Sequence, residues 1–185
     1  MDLDVELVRR VRRGELDAYG ELVERHREVV HRVVGRIVGA QDADDLTQDA
    51  FLRAFHKLDS YRGDAPFRAW LLRVAHNTAL NWLARKRPEP VAEPPEPRTN
   101  GDGPLTPADA LEAAERRERL ERKLVGLSPA HRTVLVLREI EGLSYEEIAE
   151  ITDTPLGSVK ARLFRARNEL ADMLRHNTYD WGVPS

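Results

Sequence analysis

The chain has 185 residues, of which 41% are hydrophobic and 33% charged, with a formal net charge of −3. This length allows one domain or two small ones, and the absence of cysteine excludes disulfides, zinc–thiolate sites and thiol chemistry, so a reducing cytoplasm is the expected location. No apolar run approaches the roughly 20 residues of a membrane span, and from the acidic start at Asp2 and Asp4 we expect no secretory signal peptide.

Charge is distributed unevenly along the chain. Residues 62–87 carry six basic residues and one acid, whereas residues 88–118 carry eight acids and three arginines. These blocks cancel in the sum, so the net charge is a poor guide to what the chain binds. The basic block remains compatible with a nucleic-acid partner.

Both halves of the chain are predicted to be helical, because glycine and proline occur as punctuation and no stretch alternates with a period of two. Helices are expected near residues 3–13, 16–38, 43–58, 66–86, 107–125, 129–140, 144–151 and 155–175. The pairs Thr106-Pro107 and Ser128-Pro129 each place a capping residue before a proline, which favours a helix start. The predicted fold class is all-α, with two small helical domains joined by a flexible linker.

The helix expected at 43–58 carries a leucine among polar residues. Helical spacing places an apolar set on its buried face: Leu46, Ala50, Phe51, Ala54, Phe55 and Leu58. The opposite face then exposes Asp45, Gln48, Asp49, Leu52 and His56. An apolar anchor inside a polar rim is typical of a protein interface. The pattern fits equally well a Leu52 that only closes the edge of the core.

The helix expected at 66–86 is apolar almost all round, apart from a polar stripe at Arg73, Asn77 and Asn81. It ends in a basic cluster that includes Arg85 and Lys86. Three aromatic residues lie at or before its start, namely Tyr61, Phe67 and Trp70. Charges for the backbone and ring faces for bases are what a single-stranded nucleic-acid site requires. Burial of Phe67 and Trp70 in an ordinary core is the alternative.

Seven of the eleven prolines lie between Pro88 and Pro107. This composition predicts a semi-stiff, acidic linker that spans roughly 25 Å or more. It divides an N-terminal domain (1–87) from a C-terminal domain (108–177) and leaves a short tail (178–185).

The C-terminal domain contains a predicted helix-turn-helix. Ser144 and Glu147 have the spacing of a capping box, and a short amphipathic helix follows. Thr152-Asp153-Thr154 interrupts this helix, after which Thr154 is expected to cap a second helix with Pro155 in its first position.

The second helix of this motif has one apolar side and one side suited to DNA. The apolar side comprises Leu156, Val159, Leu163, Ala166, Leu170 and Leu174. The other side comprises Ser158, Ala161, Arg162 and Arg165, with Lys160, Phe164 and Arg167 on its flanks. Such a helix fits the major groove, where arginine makes forked contacts to guanine and lysine binds phosphates. Because residues 155–167 contain four basic residues and no acid, a solvated face rich in ion pairs is the weaker interpretation.

Several segments, in this order, resemble the extracytoplasmic-function class of bacterial RNA polymerase sigma factors, within the sigma-70 family. The segments are Asp44-Asp45-Leu46-Thr47-Gln48-Asp49-Ala50-Phe51-Leu52-Arg53-Ala54-Phe55, the residues Phe67, Trp70, Leu71, Val74, Ala75 and Asn77, then Leu127-Ser128-Pro129 with Arg132, then Gly142-Leu143-Ser144-Tyr145-Glu146-Glu147-Ile148-Ala149, and Gly157-Ser158-Val159-Lys160-Ala161-Arg162-Leu163 with Arg165, Ala166 and Arg167. The resemblance covers nearly the whole chain apart from the linker and the last ten residues.

The resemblance implies a division of labour between the two domains. The N-terminal domain would be σ2, which contacts the clamp helices of the polymerase β′ subunit through Asp45, Gln48, Asp49 and Leu52. The loop from Tyr61 to Phe67 and the residues Trp70, Arg73, Asn77, Asn81, Arg85 and Lys86 would bind the non-template strand of the −10 element, with one base flipped into a pocket. The linker would follow the RNA path of the polymerase.

The C-terminal domain would be σ4, which meets the β flap and binds the −35 element through Ser158, Lys160, Ala161, Arg162, Phe164 and Arg165. Some relatives carry arginine and serine where this chain has Lys160 and Ala161, so their −35 sequence cannot be transferred. An anti-sigma factor is expected as a further protein partner, and no small-molecule substrate, cofactor or metal is implied.

Two other classes of protein remain as alternatives. A stand-alone helix-turn-helix regulator would need a dimer and a two-fold operator and would leave the 42–58 surface unexplained. A helical adaptor would bind proteins alone. An enzyme is the least favoured class, because the six histidines lack metal-ligand or nucleophile–base spacing.

Overall fold

The computed structural model describes residues 3–86 and 107–176, which form helices, turns and no strand. The N-terminal body consists of α1 (Leu3–Arg12), α2 (Asp17–Val38), α3 (Ala43–His56) and α4 (Phe67–Arg85), with short 3-10 turns at Ala40–Asp42 and Leu58–Ser60. The C-terminal body consists of α5 (Pro107–Gly126), α6 (Pro129–Leu135), α7 (Tyr145–Thr152) and α8 (Leu156–His176). The predicted linker, apart from its last residue, and the predicted tail lie outside the described residues.

The all-α prediction is confirmed, and local chemistry sets several helix ends. The Ser128 hydroxyl accepts a hydrogen bond from the His131 amide (3.3 Å) at the start of α6. Ser144 and Glu147 form the predicted capping box, with distances of 3.1 and 2.7 Å. Among the described helices, none is long and apolar enough to cross a membrane.

The helix expected at 129–140 is not uniform. It is α-helical only to Leu135, and its last part, Val136–Ile140, has the wider π-helical hydrogen bonding. The amide of Glu141, for example, donates to the Val136 carbonyl at 3.1 Å. A π segment re-aims the side chains that follow it, and Glu141 is the first of them.

The N-terminal body is built around α2, which packs against α1, α3 and α4. Its fully buried side chains include Leu22, Ile37 and Leu71. Beside this apolar interior, α1 is fastened by a buried carboxylate: Asp4 lies 2.8 Å from His26 Nε2 and accepts from Arg25 at 2.9 Å. The first helix is therefore an integral part of this body.

The C-terminal body is a smaller bundle in which α8 packs against α5, α6 and α7. The predicted apolar side of α8 is buried at its centre, through Val159, Leu163 and Ala166. Ile148 and Ile151 of α7 are also buried. The helix-turn-helix thus has its own apolar support.

The two bodies contact each other, with α4 against α7 and α2 against α5 and α6. At this boundary the Glu141 side chain, only 1% exposed, accepts hydrogen bonds from Arg32 (2.7 and 3.0 Å) and Arg68 (3.0 Å). Arg132, which is buried, donates across the boundary to the Ile37 carbonyl at 2.5 Å. We call this contact region the boundary.

Candidate functional site

The surface of α3 presents the predicted group of polar residues around a leucine. Asp45, Gln48 and Leu52 are exposed, and Asp49 is half-buried with its carboxylate 2.8 Å from the Arg53 guanidinium. Leu52 is 56% exposed, so it does not close the core. We call Asp45, Gln48, Asp49 and Leu52 the α3 patch.

Phe55 corrects one expectation for this helix. It was predicted to be buried, yet 37% of its surface is exposed. Its ring packs edge-on against Tyr19 of α2, with 4.9 Å between ring centroids. Because α3 ends at His56, its last turn lies at the rim of the body and not over its centre. Phe55 therefore adds a partly exposed apolar side chain near the α3 patch.

On α4, the predicted polar stripe faces the solvent. Arg73, Asn77 and Asn81 are exposed, although their neighbours on the helix, such as Val74 and Thr78, are buried. We call these three residues the α4 stripe. Further along, Arg85 and Lys86 are also exposed. The Lys86 ammonium lies 3.3 Å from the Asp42 carboxylate and 4.4 Å from the centroid of the Trp82 ring.

The aromatic residues beside α4 do not form an exposed stacking platform. Tyr61 is 4% exposed and Phe67 1%, and Trp70 is half-buried. Their three rings pack against one another with centroids 5.5–5.6 Å apart. In this structure Tyr61 and Phe67 therefore do not present their ring faces to the solvent. Burying these large apolar rings is more favourable in free energy than leaving them exposed to water.

The loop between α3 and α4 has an exposed tip and two anchored ends. Arg62, Gly63 and Asp64 are exposed, and Gly63 adopts a φ of +85°, a conformation that favours glycine. The buried Tyr61 hydroxyl donates to the Ala65 carbonyl at 2.8 Å. Arg12 of α1 donates to the carbonyls of Leu58 (2.8 Å) and Tyr61 (2.5 Å). Sequence reasoning missed Arg12, because it is one of several similar arginines in α1.

The proposed reading side of α8 is mostly exposed. Ser158, Lys160, Phe164 (68%) and Arg165 are exposed, and Ala161 and Arg162 are half-buried. This side therefore combines two exposed basic side chains, Lys160 and Arg165, with an exposed aromatic ring. Gly157, which precedes it, has open space around it.

Thr154 and Arg167 differ from expectation. The Thr154 hydroxyl, predicted to cap α8, donates to the Thr152 carbonyl and accepts from Arg162, each at 3.0 Å. The turn before it is set by Asp153, whose φ is +49°. Arg167 pairs with Glu139 at 2.6 Å. Residues 155–167 contain no acid, so this partner comes from the π-helical segment Val136–Ile140.

The α4 stripe and the start of α8 meet at the boundary. Arg73 lies 3.5 Å from the Asp153 carboxylate, which precedes α8. His76 of α4 is buried, and burial together with the nearby positive charge of Arg162 lowers its pKa to about 4. A residue of each proposed DNA surface therefore contacts or lies close to the other body.

Sequence reasoning also missed Glu141, and it named Arg132 only as part of the family resemblance. A signal for Glu141 was present. An acid at the C-terminal end of a helix is repelled by the negative end of the helix dipole, so a cationic partner stabilises it. Nothing local indicated that its partners lie on α2 and α4. In the part of the chain that the structure describes, no group of histidines and carboxylates could hold a metal ion.

Comparison with known proteins gives a consistent family. The chain matches the Sigma-70 region 2 model over residues 22–89 and the Sigma-70 region 4 model over residues 117–170. It is 38% identical to the ECF RNA polymerase sigma-E factor of Escherichia coli K12, covering 90% of this chain and 92% of that protein. It is 40% identical to the RNA polymerase sigma-H factor of Pseudomonas aeruginosa, covering 93% of this chain and 94% of that protein.

Solved structures agree in fold across both bodies. CnrH in complex with the cytosolic domain of CnrY superposes with a TM-score of 0.71 at 30% identity, over 96% of this chain and 100% of that one. The sigma factor RpoE of Bartonella quintana, in complex with the anti-sigma factor NepR, gives a TM-score of 0.67 at 23% identity, over 85% and 96% of the two chains, which supports the fold. The chain therefore belongs to the extracytoplasmic-function class of sigma-70-family RNA polymerase sigma factors.

Proposed function

We propose that this sigma factor binds core RNA polymerase through the α3 patch, captures the −10 non-template strand with the N-terminal body and reads the −35 element with α8. The observation that carries the proposal is the solvent-exposed α4 stripe on a helix whose other residues are largely buried. A stand-alone helix-turn-helix regulator has no use for such a surface in a separate body. The proposed sigma factor would act in the cytoplasm, at the nucleoid, because promoters are located there.

The α3 patch suits a protein partner of mixed polarity. Leu52 offers an apolar anchor, and the carboxylates of Asp45 and Asp49 flank it with negative charge. Apolar anchors inside a polar rim commonly dominate binding energy. The β′ clamp helices, which the family resemblance implies as the partner of this surface, would therefore be held by Leu52 and oriented by the acids.

The −10 strand would be bound by the α4 stripe and the loop that precedes α4. Arg73 attracts phosphates, and the amides of Asn77 and Asn81 can each donate and accept hydrogen bonds on a base edge. The exposed tip at Arg62–Asp64 can close around an extruded base, because hydrogen bonds hold both ends of the loop. Arg85 and Lys86 extend the positive surface along the strand.

The −35 element would be read in the major groove by α8. Arg165 is exposed and Arg162 becomes available when its bond to Thr154 is exchanged for one to DNA. Ser158, Lys160 and Phe164 complete the contact, through phosphate oxygens, phosphate charge and a thymine methyl respectively. The half-buried Ala161 permits close approach of the helix.

The two bodies must separate before both elements can be bound. The −10 and −35 elements lie about 25 base pairs apart, roughly 85 Å along duplex DNA, whereas Arg73 and Asp153 are 3.5 Å apart. We therefore regard the described arrangement as the unbound form. An anti-sigma partner, such as the structurally similar proteins carry, would hold this form, and the polymerase β flap would receive the C-terminal body after separation.

Run-off transcription with purified core polymerase on genomic DNA fragments tests the proposal. We expect discrete transcripts only when both the chain and core polymerase are present. Asn77→Ala with Asn81→Ala should lower permanganate reactivity of −10 thymines on duplex promoters, and a pre-melted bubble should restore only part of the activity. Dimers that bind a two-fold site without polymerase would instead support a stand-alone regulator.

A further inference from the structure

Arg12 connects the first helix to the loop between α3 and α4. One Nη of its guanidinium donates to the carbonyl oxygens of Leu58 (2.8 Å) and Tyr61 (2.5 Å) and lies 3.5 Å from that of Asp59. These carbonyls belong to the 3-10 turn at Leu58–Ser60 and the residue after it. Hydrogen bonds from a charged donor are about twice as strong as those between neutral groups, so Arg12 fixes the first half of the loop.

Tyr61 fixes the second half. Its hydroxyl donates to the Ala65 carbonyl at 2.8 Å, which closes the loop over five residues. Its ring is held in place by Phe67, edge-on with 5.5 Å between centroids, and by Trp70 at the same distance. The Arg12 contact to the Tyr61 carbonyl joins the two anchors at a single residue. Only the tip, Arg62–Asp64, is left exposed between them.

A loop held in one conformation loses less conformational entropy when it binds. An unanchored loop of this length would have to order itself around an extruded base at the moment of capture. Both anchors act on the backbone and neither presents a group at the loop tip. Their effect on a ligand at the tip would therefore be exerted through the position of the loop.

We infer that Arg12 and Tyr61 are positioning residues for base capture, and that α1 is thereby part of the promoter-opening machinery. The inference rests on the proposed function of the loop. It adds an element that precedes the region 2 match, which starts at residue 22. Tyr61, buried and unable to stack on a base, acts through its hydroxyl and its carbonyl.

The test uses holoenzyme assembled from the full chain and core polymerase. The probe is fork-junction DNA from the strongest run-off promoter, carrying either an intact −10 non-template strand or one abasic nucleotide at each −10 position in turn. The largest ratio of intact to abasic affinity measures base capture. We expect about tenfold for the wild type, consistent with the energy of base-edge and stacking contacts.

Arg12→Ala should reduce this ratio to about twofold, because both carbonyls lose their charged donor. Tyr61→Phe removes only the hydroxyl and should give about threefold to fivefold. Arg12→Lys should rescue part of the ratio, since a lysine can reach one carbonyl but lacks the fork of the guanidinium. Arg9→Ala is the matched control: Arg9 lies in the same helix and its side chain is 59% exposed, paired with Glu6.

Melting temperature and core-polymerase affinity separate positioning from loss of folding. If Arg12→Ala lowers the melting temperature, the conservative variants Tyr61→Phe and Arg12→Lys test the positioning role in its place, provided that they melt like the wild type. A wild-type ratio in these variants, or an equal loss in Arg9→Ala, overturns the positioning role. A wild-type holoenzyme that is indifferent to every abasic position would show instead that the loop does not capture a base, which removes the proposed function of the loop itself.

Discussion

The interior of the N-terminal body and the boundary between the two bodies differ in chemistry. The interior is filled by side chains such as Leu22 and Leu71, which are fully buried and apolar. At the boundary, where the buried apolar residues of the two bodies form one cluster, a buried glutamate also holds two arginines, and a buried arginine reaches a backbone carbonyl. When an apolar interior opens, its packing contacts are lost and its apolar surface is exposed to water, whereas ions that separate become hydrated again. We therefore expect the bodies to remain folded while the boundary separates.

The largest effect is expected in the apolar interior. Leu22→Ala should lower the free energy of unfolding by about 2–5 kcal/mol, because it leaves a cavity among α1 and α2. Thermal or urea unfolding measures this. Leu16→Ala is the control, since Leu16 is 63% exposed at the start of the same helix. Equal destabilisation by both variants would contradict the assigned core.

Acid should weaken the protein through His76. Its pKa is lowered to about 4 by burial and by Arg162, so the folded state disfavours the protonated ring. The associated stability is fully present above about pH 6.5 and is lost as the pH falls toward 4, on the order of 3 kcal/mol in total.

His76→Leu should flatten this part of the curve of stability against pH, and His56→Ala, on the exposed end of α3, should not. The difference between wild type and each variant removes the contribution of carboxylates that titrate in the same range. A wild-type profile in His76→Leu would show that the buried ring does not cause the acid sensitivity.

Glu141→Ala should open the boundary while leaving each body folded. We expect the free energy that holds the bodies together to fall by about 2–3 kcal/mol, less than for a fully buried pair, because Arg32 and Arg68 keep some contact with water. The chain has no cysteine, so cysteines introduced at the exposed Glu24 and Glu150 can carry dyes for energy transfer. Transfer should decrease.

Glu139→Ala is the matched control for the boundary. Glu139 pairs with Arg167 inside the C-terminal body and its side chain is 49% exposed. Unchanged transfer in Glu141→Ala, or an equal decrease in Glu139→Ala, would mean that the buried glutamate does not hold the boundary closed.

Arg162 and Arg165 of α8 sharpen the comparison between a residue near the boundary and an exposed surface residue. Arg165→Ala and Arg162→Ala should each weaken −35 discrimination by about 1–3 kcal/mol, as expected for forked contacts to guanine. Core-polymerase binding should be retained. Transcription from −35-dependent promoters, compared with matched promoters of altered −35 sequence, measures the effect. Normal discrimination in both variants would refute the assignment of α8 to the groove.

The smallest effect on stability is expected on the α3 patch. Leu52→Ala should change the free energy of unfolding by less than about 0.5 kcal/mol, as exposed substitutions usually do, yet reduce affinity for core polymerase. Leu120→Ala, a comparably exposed leucine on α5, should leave that affinity unchanged. A large fall in melting temperature for Leu52→Ala would show that Leu52 contributes to the core.

Local rules predicted the helices and much of the candidate site. The capping box at Ser144, the proline after Ser128 and the period of apolar residues act over three or four positions, so their consequences could be derived from neighbouring residues. The same periodicity predicted correctly that the α4 stripe faces solvent, whereas for Leu52 it left open whether the side chain closes the edge of the core, and the structure shows it exposed. The periodicity failed at Phe55, because a helix period gives the direction of a side chain but does not tell whether the last turn of the helix lies over the centre of the body or at its rim.

What only the tertiary structure decided involves residues far apart in the chain. Glu141 meets Arg32 and Arg68, which precede it by 109 and 73 residues, and Arg12 meets Tyr61 across 49. By itself, the sequence determined the helices, their faces and the family resemblance, since those depend on short spacings and motifs. Burial of Tyr61 and Phe67, the anchoring of the loop by α1 and the buried ions at the boundary depend on which surfaces exclude water together, and no local pattern encodes that.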